Sequence, residues 1–179
     1  MERELRILQL EDSPTDARII EDRLHKDGLA FSARRVETRE DFIRGLEEFE
    51  PDIVLADYNL PAFDGLAAVR IARERRPDIP VIVVTGSLGD ERAVELLHEG
   101  ARDYVLKERL TRLASAVGRA LDEARIESEK REAEQLLHKQ LDELRRFQKA
   151  TIDRELHMKA LKEENQRLRD RLAARGKDA

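Results

Sequence analysis

The feature that most limits what this chain can fold into is an alternation, repeated five times, of short apolar runs with helix-like stretches. Leu5–Leu10, Ala30–Val36, Ile53–Asp57, Val81–Thr85 and Asp103–Leu106 read as five strands. The third and fourth, in "DIVLADYNL" and "VIVVTG", are almost wholly apolar. Central parallel strands look like this when helices cover both faces of the sheet. Between the strands, Ser13-Pro14 reads as a helix cap followed by proline at the first helical position. Thr38 with Asp41 reads as a capping box, and Gly28 and Gly100 stand where helices should stop. A βα unit repeated in this way predicts a doubly wound α/β domain with a five-stranded parallel sheet and right-handed crossovers.

The fifth helix does not stop where the domain should. From Thr111 to Arg175 there is no proline, and Gly118 is the only glycine. At about 1.5 Å per residue this predicts a helix on the order of 100 Å long, too long to pack wholly on a small domain. Charged residues make up 41% of the chain, and beyond Leu121 they mix with leucine, alanine and glutamine as in a long exposed helix. Met158, Leu161, Asn165, Leu168 and Leu172 recur at alternating spacings of three and four, an a/d seam with Asn165 at an a position. Carried backward, the frame takes in Thr151, Phe147 and Leu144, but Arg154 falls at a d position, and Leu137 and Leu141 do not fit it together. A register discontinuity is expected over 137–147. A lone asparagine in the seam favours a parallel, two-stranded pair, so a parallel homodimer is expected. The expected division is a domain over 1–121, a coiled-coil helix over 122–175 and a frayed tail over 176–179.

The ends of the strands carry the polar chemistry. In a doubly wound sheet, ligands bind outside the carboxyl ends of the strands. There the chain places Glu11-Asp12 after strand 1, Asp57 at the end of strand 3, Thr85 at the end of strand 4 and Lys107 after strand 5. Three clustered acids repel one another, and a hard divalent cation such as Mg²⁺ relieves this through oxygen ligands. Thr85 and Lys107 are suitable donors for the remaining oxygens of a phosphoryl group. Taken singly, each residue has a plainer reading as a turn, a cap or a solvated lysine. Taken together, in order, at four strand ends, they point to one site.

Over about residues 3–122 the sequence resembles the receiver domain of two-component response regulators. The resemblance rests on "LEDSPTD", "DIVLADYNLPAFDG", "VIVVTG" and "GARDYVLK". It implies a flavodoxin-like sheet of order 2-1-3-4-5. It implies that Asp57 is the nucleophile and phosphoacceptor. Asp12 and Asp57 would ligate Mg²⁺ (or Mn²⁺) directly, Glu11 largely through water, and Asn59 through its backbone carbonyl. Thr85 and Lys107 would bind the phosphoryl group, and Tyr104 would be the switch aromatic that moves with Thr85. The implied partner is a sensor histidine kinase or a phosphotransfer protein. The implied chemistry is Mg²⁺-dependent self-phosphorylation and slow autodephosphorylation, with no separate output enzyme. Two positions depart from the family pattern. Gly86 stands where alanine is usual, and Glu108 where a cis proline often follows the lysine, so no cis bond is expected there.

Composition narrows the alternatives. A net charge of −5 gives no global attraction to nucleic acid or anionic membrane. The absence of cysteine excludes disulfides and thiolate metal sites. No run is apolar enough to span a bilayer and "MERELRILQLEDS" has no signal-peptide core, so a cytoplasmic protein is expected. A basic-zipper DNA binder needs a segregated basic run, whereas residues 122–179 mix 14 acids with 15 bases. An aspartate phosphatase of the haloacid dehalogenase type needs an acid two residues after the nucleophile, where Asn59 stands. His25, His98, His138 and His157 are scattered and read as surface residues. One alternative keeps the site and changes its context: the N-terminal regulatory part of a larger sensor kinase or cyclase, with its output domain beyond residue 179.

Overall fold

The computed structural model describes residues 4–61, 63–87 and 89–175; the described side chains exclude Asp90 and residues 170–175. Five strands form one parallel sheet of order β2-β1-β3-β4-β5. They are β1 (Leu5–Leu10), β2 (Phe31–Val36), β3 (Ile53–Ala56), β4 (Val81–Thr85) and β5 (Asp103–Leu106). Helices α1 (Pro14–Lys26), α2 (Arg39–Arg44), α3 (Gly65–Arg75) and α4 (Asp90–Glu99) connect them, and α5 (Leu113–Arg175) follows β5. This is the predicted doubly wound domain. β3 ends one residue earlier than expected, which leaves Asp57 just past the strand, and β2 begins at Phe31 rather than Ala30.

Alternation along the strands splits the core in two, because successive side chains point to opposite faces. Leu8, Leu10, Val54, Ala56, Val81 and Val83 face one side and pack with Phe42, Val69 and Leu96 from α2, α3 and α4. Ile7, Ile53, Leu55, Ile82, Val84 and Val105 face the other and pack with Ile20 and Leu24 of α1 and Leu113 and Val117 of α5. Each fully buried side chain of this size stabilises the fold by about 1.5–3 kcal/mol relative to exposure.

The helix ends follow the sequence with one change. Ser13 caps α1, accepting the Asp16 N–H at 3.2 Å, with Pro14 in the first turn. Gly28 and Gly100 take the left-handed conformation (φ 88° and 112°) after α1 and α4. Thr38 caps α2 and accepts the Asp41 N–H at 3.1 Å. Asp41 does not complete a reciprocal box on the backbone, because its short side chain accepts the Thr38 hydroxyl at 2.9 Å. Two irregular turns carried no sequence signature: a π turn over Gly45–Phe49 and a 3₁₀ turn over Lys107–Arg112. The Lys107–Glu108 bond is trans, as expected without proline.

The chain divides into two units, residues 1–128 and 129–179. Within the first, Leu113, Ala116, Val117 and Ala120 bury one stripe of α5, with the three- and four-residue spacing of a helix face. Within the second, every described side chain from Glu129 to Arg169 is exposed. Met158, Leu161 and Leu168 of the expected seam are 50%, 41% and 50% exposed, so they form an open apolar row. The Asn165 amide donates to the Leu161 carbonyl one turn back. Leu172 lies outside the described side chains. No helix among the described residues is long and apolar enough to cross a membrane.

Candidate functional site

The sheet order brings the functional residues to one edge. β1 and β3 are neighbours, so the residues just after them emerge side by side. Pairing continues past the strand ends: Asp57 N–H donates to the Leu10 carbonyl at 2.8 Å, and Glu11 N–H to the Val36 carbonyl at 3.0 Å. Glu11 and Asp57 are buried (1% and 7% exposed), whereas Asp12 is exposed. Oxygens from these three carboxylates lie within 4.8 Å of one another.

Lys107 closes the group. Its Nζ donates to Asp57 Oδ2 at 2.7 Å, to Glu11 Oε2 at 2.9 Å and to Asp16 Oδ2 at 2.6 Å. Burial pushes the Glu11 carboxyl up, and the Lys107 ammonium only partly offsets this, so Glu11 stays above its ordinary range. Burial also works against the Lys107 charge, but the hydrogen bonds it donates to Asp16, Asp57 and Glu11 outweigh this and hold its proton more tightly than usual. The Lys107 hydrogen bond holds the Asp16 carboxyl below the ordinary range.

A short chain of contacts joins Asp57 to Thr85. Asn59 N–H donates to Asp57 Oδ1 at 3.1 Å, and the Asn59 amide donates to Thr85 Oγ1 at 3.3 Å. Thr85 is fully buried, and its hydroxyl donates to the Ser87 carbonyl at 3.2 Å. Gly65 is required beneath this loop, since a Cβ there would lie 2.7 Å from the Asp57 carbonyl oxygen and from Tyr58 Cα. At Gly86 a Cβ would meet open space, so the missing methyl leaves room at the mouth of the site. Tyr104 is partly buried against the core face formed with α2, α3 and α4.

Glu11, Asp12, Asp57 and Lys107 therefore meet as the sequence predicts, and Thr85 joins them through Asn59. Two further residues belong to the neighbourhood. Asp16, on the first turn of α1, supplies another carboxylate to Lys107. Arg35 of β2 donates to the Glu11 carbonyl at 2.8 Å and the Asp12 carbonyl at 3.4 Å, steadying the loop that carries the acidic pair. The spacing of an arginine on a strand and an acid at a helix start gave no sign of either role.

The donor set suits a hard cation. Three carboxylates (Glu11, Asp16, Asp57) meet one ammonium and Asp12 lies beside Glu11 and Asp57, a formal excess of three negative charges. Oxygen ligands suit a hard dication, and no soft ligand stands among these residues.

Comparison with known proteins agrees with this geometry. The family model for the response regulator receiver domain matches residues 7–118. Over 120 residues the chain is 28% identical to the DNA-binding transcriptional regulator NtrC of Proteus hauseri, a match covering 66% of this chain and 25% of that protein. The chain thus spans about a quarter of the length of that curated relative. A CheY-like response regulator receiver domain protein from Methanospirillum hungatei JF-1 superposes with a TM-score of 0.62 at 25% identity, covering 70% of this chain and 99% of that one. A BeF3-activated receiver domain of DrrB, a Thermotoga maritima protein, gives a TM-score of 0.57 at 27% identity, covering 67% and 99%. The sheet order, the edge where acids and lysine meet, and a family match over more than half of the residues converge, and the chain belongs to the response regulator receiver domain family.

Proposed function

We propose that the chain is a phosphoacceptor that takes a phosphoryl group on Asp57 and passes the change to its C-terminal helix. The observation that carries this reading is the meeting of Asp57 with Lys107 at 2.7 Å beside Glu11 and Asp12. The BeF3-activated state of the similar DrrB receiver domain supports it, because BeF3 mimics a phosphoryl group. Mg²⁺, held by Asp12 and Asp57, by Glu11 largely through water and by the Asn59 carbonyl, would neutralise the carboxylates and the incoming phosphoryl oxygens. Mn²⁺ offers similar chemistry.

In the transfer, an Asp57 carboxylate oxygen bonds to phosphorus as the bond from phosphorus to the donor's leaving atom breaks, in line with the attack. Lys107 pairs with one phosphoryl oxygen. Thr85 turns its hydroxyl from the Ser87 carbonyl to another, and Tyr104 moves into the space behind it. Slow attack of water on phosphorus restores Asp57. Charging and this hydrolysis are the only reactions assigned to the chain. Its donor is a sensor histidine kinase or a phosphotransfer protein, and its place is the cytoplasm.

The receiver domain is assigned to 1–121 and the signalling helix to 122–175. The open row of Met158, Leu161 and Leu168, with Asn165 among them, supports a parallel homodimer through this helix. Because the first turns of α5 pack on the sheet beside β5, a change at Thr85 and Tyr104 has a route into the helix. Labelling by a small-molecule phosphodonor, compared with Asp57→Asn, tests the phosphoacceptor assignment.

A further inference from the structure

Asp16 is not accounted for by its place in α1. It is the third residue after the Ser13 cap, where an acid ordinarily completes a capping box by accepting the cap residue's own N–H. Here that N–H is already taken, because Ser13 N–H donates to Glu11 Oε1 at 3.2 Å. The Asp16 carboxylate lies beside the Ser13 side chain and reaches Lys107, at 2.6 Å. Its position is well fixed. Ser13 Oγ accepts its backbone N–H, and the buried Gln9 amide of β1 donates to the Ala17 carbonyl at 3.2 Å, tying the first turn of α1 to the sheet.

An ammonium has three donors. Lys107 commits them to Glu11, Asp57 and Asp16. A phosphoryl oxygen on Asp57 needs one of them. Asp16 stands outside the three-carboxylate group and is 38% exposed, so it is the one partner that ties the lysine to α1 while the other two belong to the acidic group.

We propose that Asp16 is a positioning residue that competes with the phosphoryl group for Lys107 and so limits how tightly that group is held. The inference rests on Asp57 being the phosphoacceptor. An acid acting only on the helix dipole would alter stability and leave phosphoryl affinity unchanged.

The test titrates beryllofluoride into the full chain at saturating Mg²⁺, followed by ¹⁹F NMR. Asp16→Asn should bind roughly two- to fivefold tighter, the range expected for release of a partly exposed ion pair. Asp16→Ser, which also suits a helix start and lacks the carboxylate, should show the same gain. Asp16→Glu, whose carboxylate still reaches the lysine, should stay near wild type. A gain in affinity cannot come from a damaged fold, so it separates positioning from mere structure. Unchanged or weaker binding in Asp16→Asn and Asp16→Ser would overturn the proposal, as would a gain of equal size in Asp16→Glu. Wild-type protein that binds no beryllofluoride would overturn the phosphoacceptor reading itself.

Discussion

The Lys107 ammonium lies 2.7 Å from Asp57 Oδ2, although the two residues are 50 apart in sequence and β4 runs between their strands. The lysine reaches across the end of β4 to carboxylates that are nearly closed to solvent, with Glu11 and Asp57 side chains 2% and 8% exposed. Removing it leaves buried charges without a partner. Lys107→Ala should destabilise the Mg²⁺-free protein by about 1–3 kcal/mol, less than for a fully buried pair because water reaches the lysine. Urea unfolding in a chelator measures this, and added Mg²⁺ should recover part of the loss.

Cation binding is separable from folding at Asp12. The residue is exposed and lies beside two buried carboxylates, so Asp12→Asn should leave Mg²⁺-free stability unchanged or slightly higher as repulsion is relieved. Mg²⁺ at a hundredfold excess over its Kd should stabilise wild type by about 2.7 kcal/mol, and the variant clearly less at the same concentration. Thermal unfolding across a Mg²⁺ titration gives both numbers.

Gly65 sets the height of the Asp57 loop. A methyl group there meets backbone atoms at 2.7 Å, which cannot swing aside as a side chain can. Gly65→Ala should cost about 1–3 kcal/mol and displace Asp57, lowering both stability and phosphoryl acceptance. Wild-type behaviour in both assays would contradict the close approach.

The Asp16 contact has a defined pH dependence. Its folded carboxyl titrates below the ordinary aspartate value of 3.8, chiefly because of Lys107, so its charge stabilises the fold above that pH. The contribution is lost as pH falls through the lowered folded value. At neutral pH, Asp16→Asn should be less stable than wild type by under about 1 kcal/mol, since the partly exposed pair is screened by water. The gap should close below pH 3.8, and a gap that persists into strong acid would contradict the ion pair. Glu11 is shifted in the opposite sense, raised above 4.5 chiefly by burial; it shares Lys107 with Asp16, so its titration is followed separately in each protein.

The helix beyond residue 129 needs a partner if its apolar row is to leave water. Leu161→Lys with Leu168→Lys should convert a dimer to monomer in sedimentation equilibrium while leaving the sheet domain folded. Asn165→Leu should tighten association and relax its register, read as extra species in the same experiment.

The sheet was legible because its strands announce themselves. Val81–Thr85 coincides with the run "VIVVT", and Leu5–Leu10 lies between Glu4 and Glu11. The four residues that meet at the edge were legible because strand ends converge in any sheet of this order. Asp16 was not, because from sequence it is an ordinary helix-start acid. In the structure the Ser13 N–H goes to Glu11 and the Asp16 carboxylate meets Lys107. Arg35 was hidden for a related reason: its partners are backbone carbonyls, which carry no residue signature. The Asp41 contact went to a hydroxyl instead of the backbone because its side chain is one carbon shorter than that of glutamate.

The central claim is that Asp57 accepts a phosphoryl group. Incubation of the full chain with Mg²⁺ and a small-molecule phosphodonor, followed by intact-mass measurement, tests it most directly. Wild type should gain one phosphoryl group and lose it again slowly, Asp57→Asn should gain none, and a chelator should abolish the reaction in wild type. Equal labelling of wild type and Asp57→Asn would contradict the account.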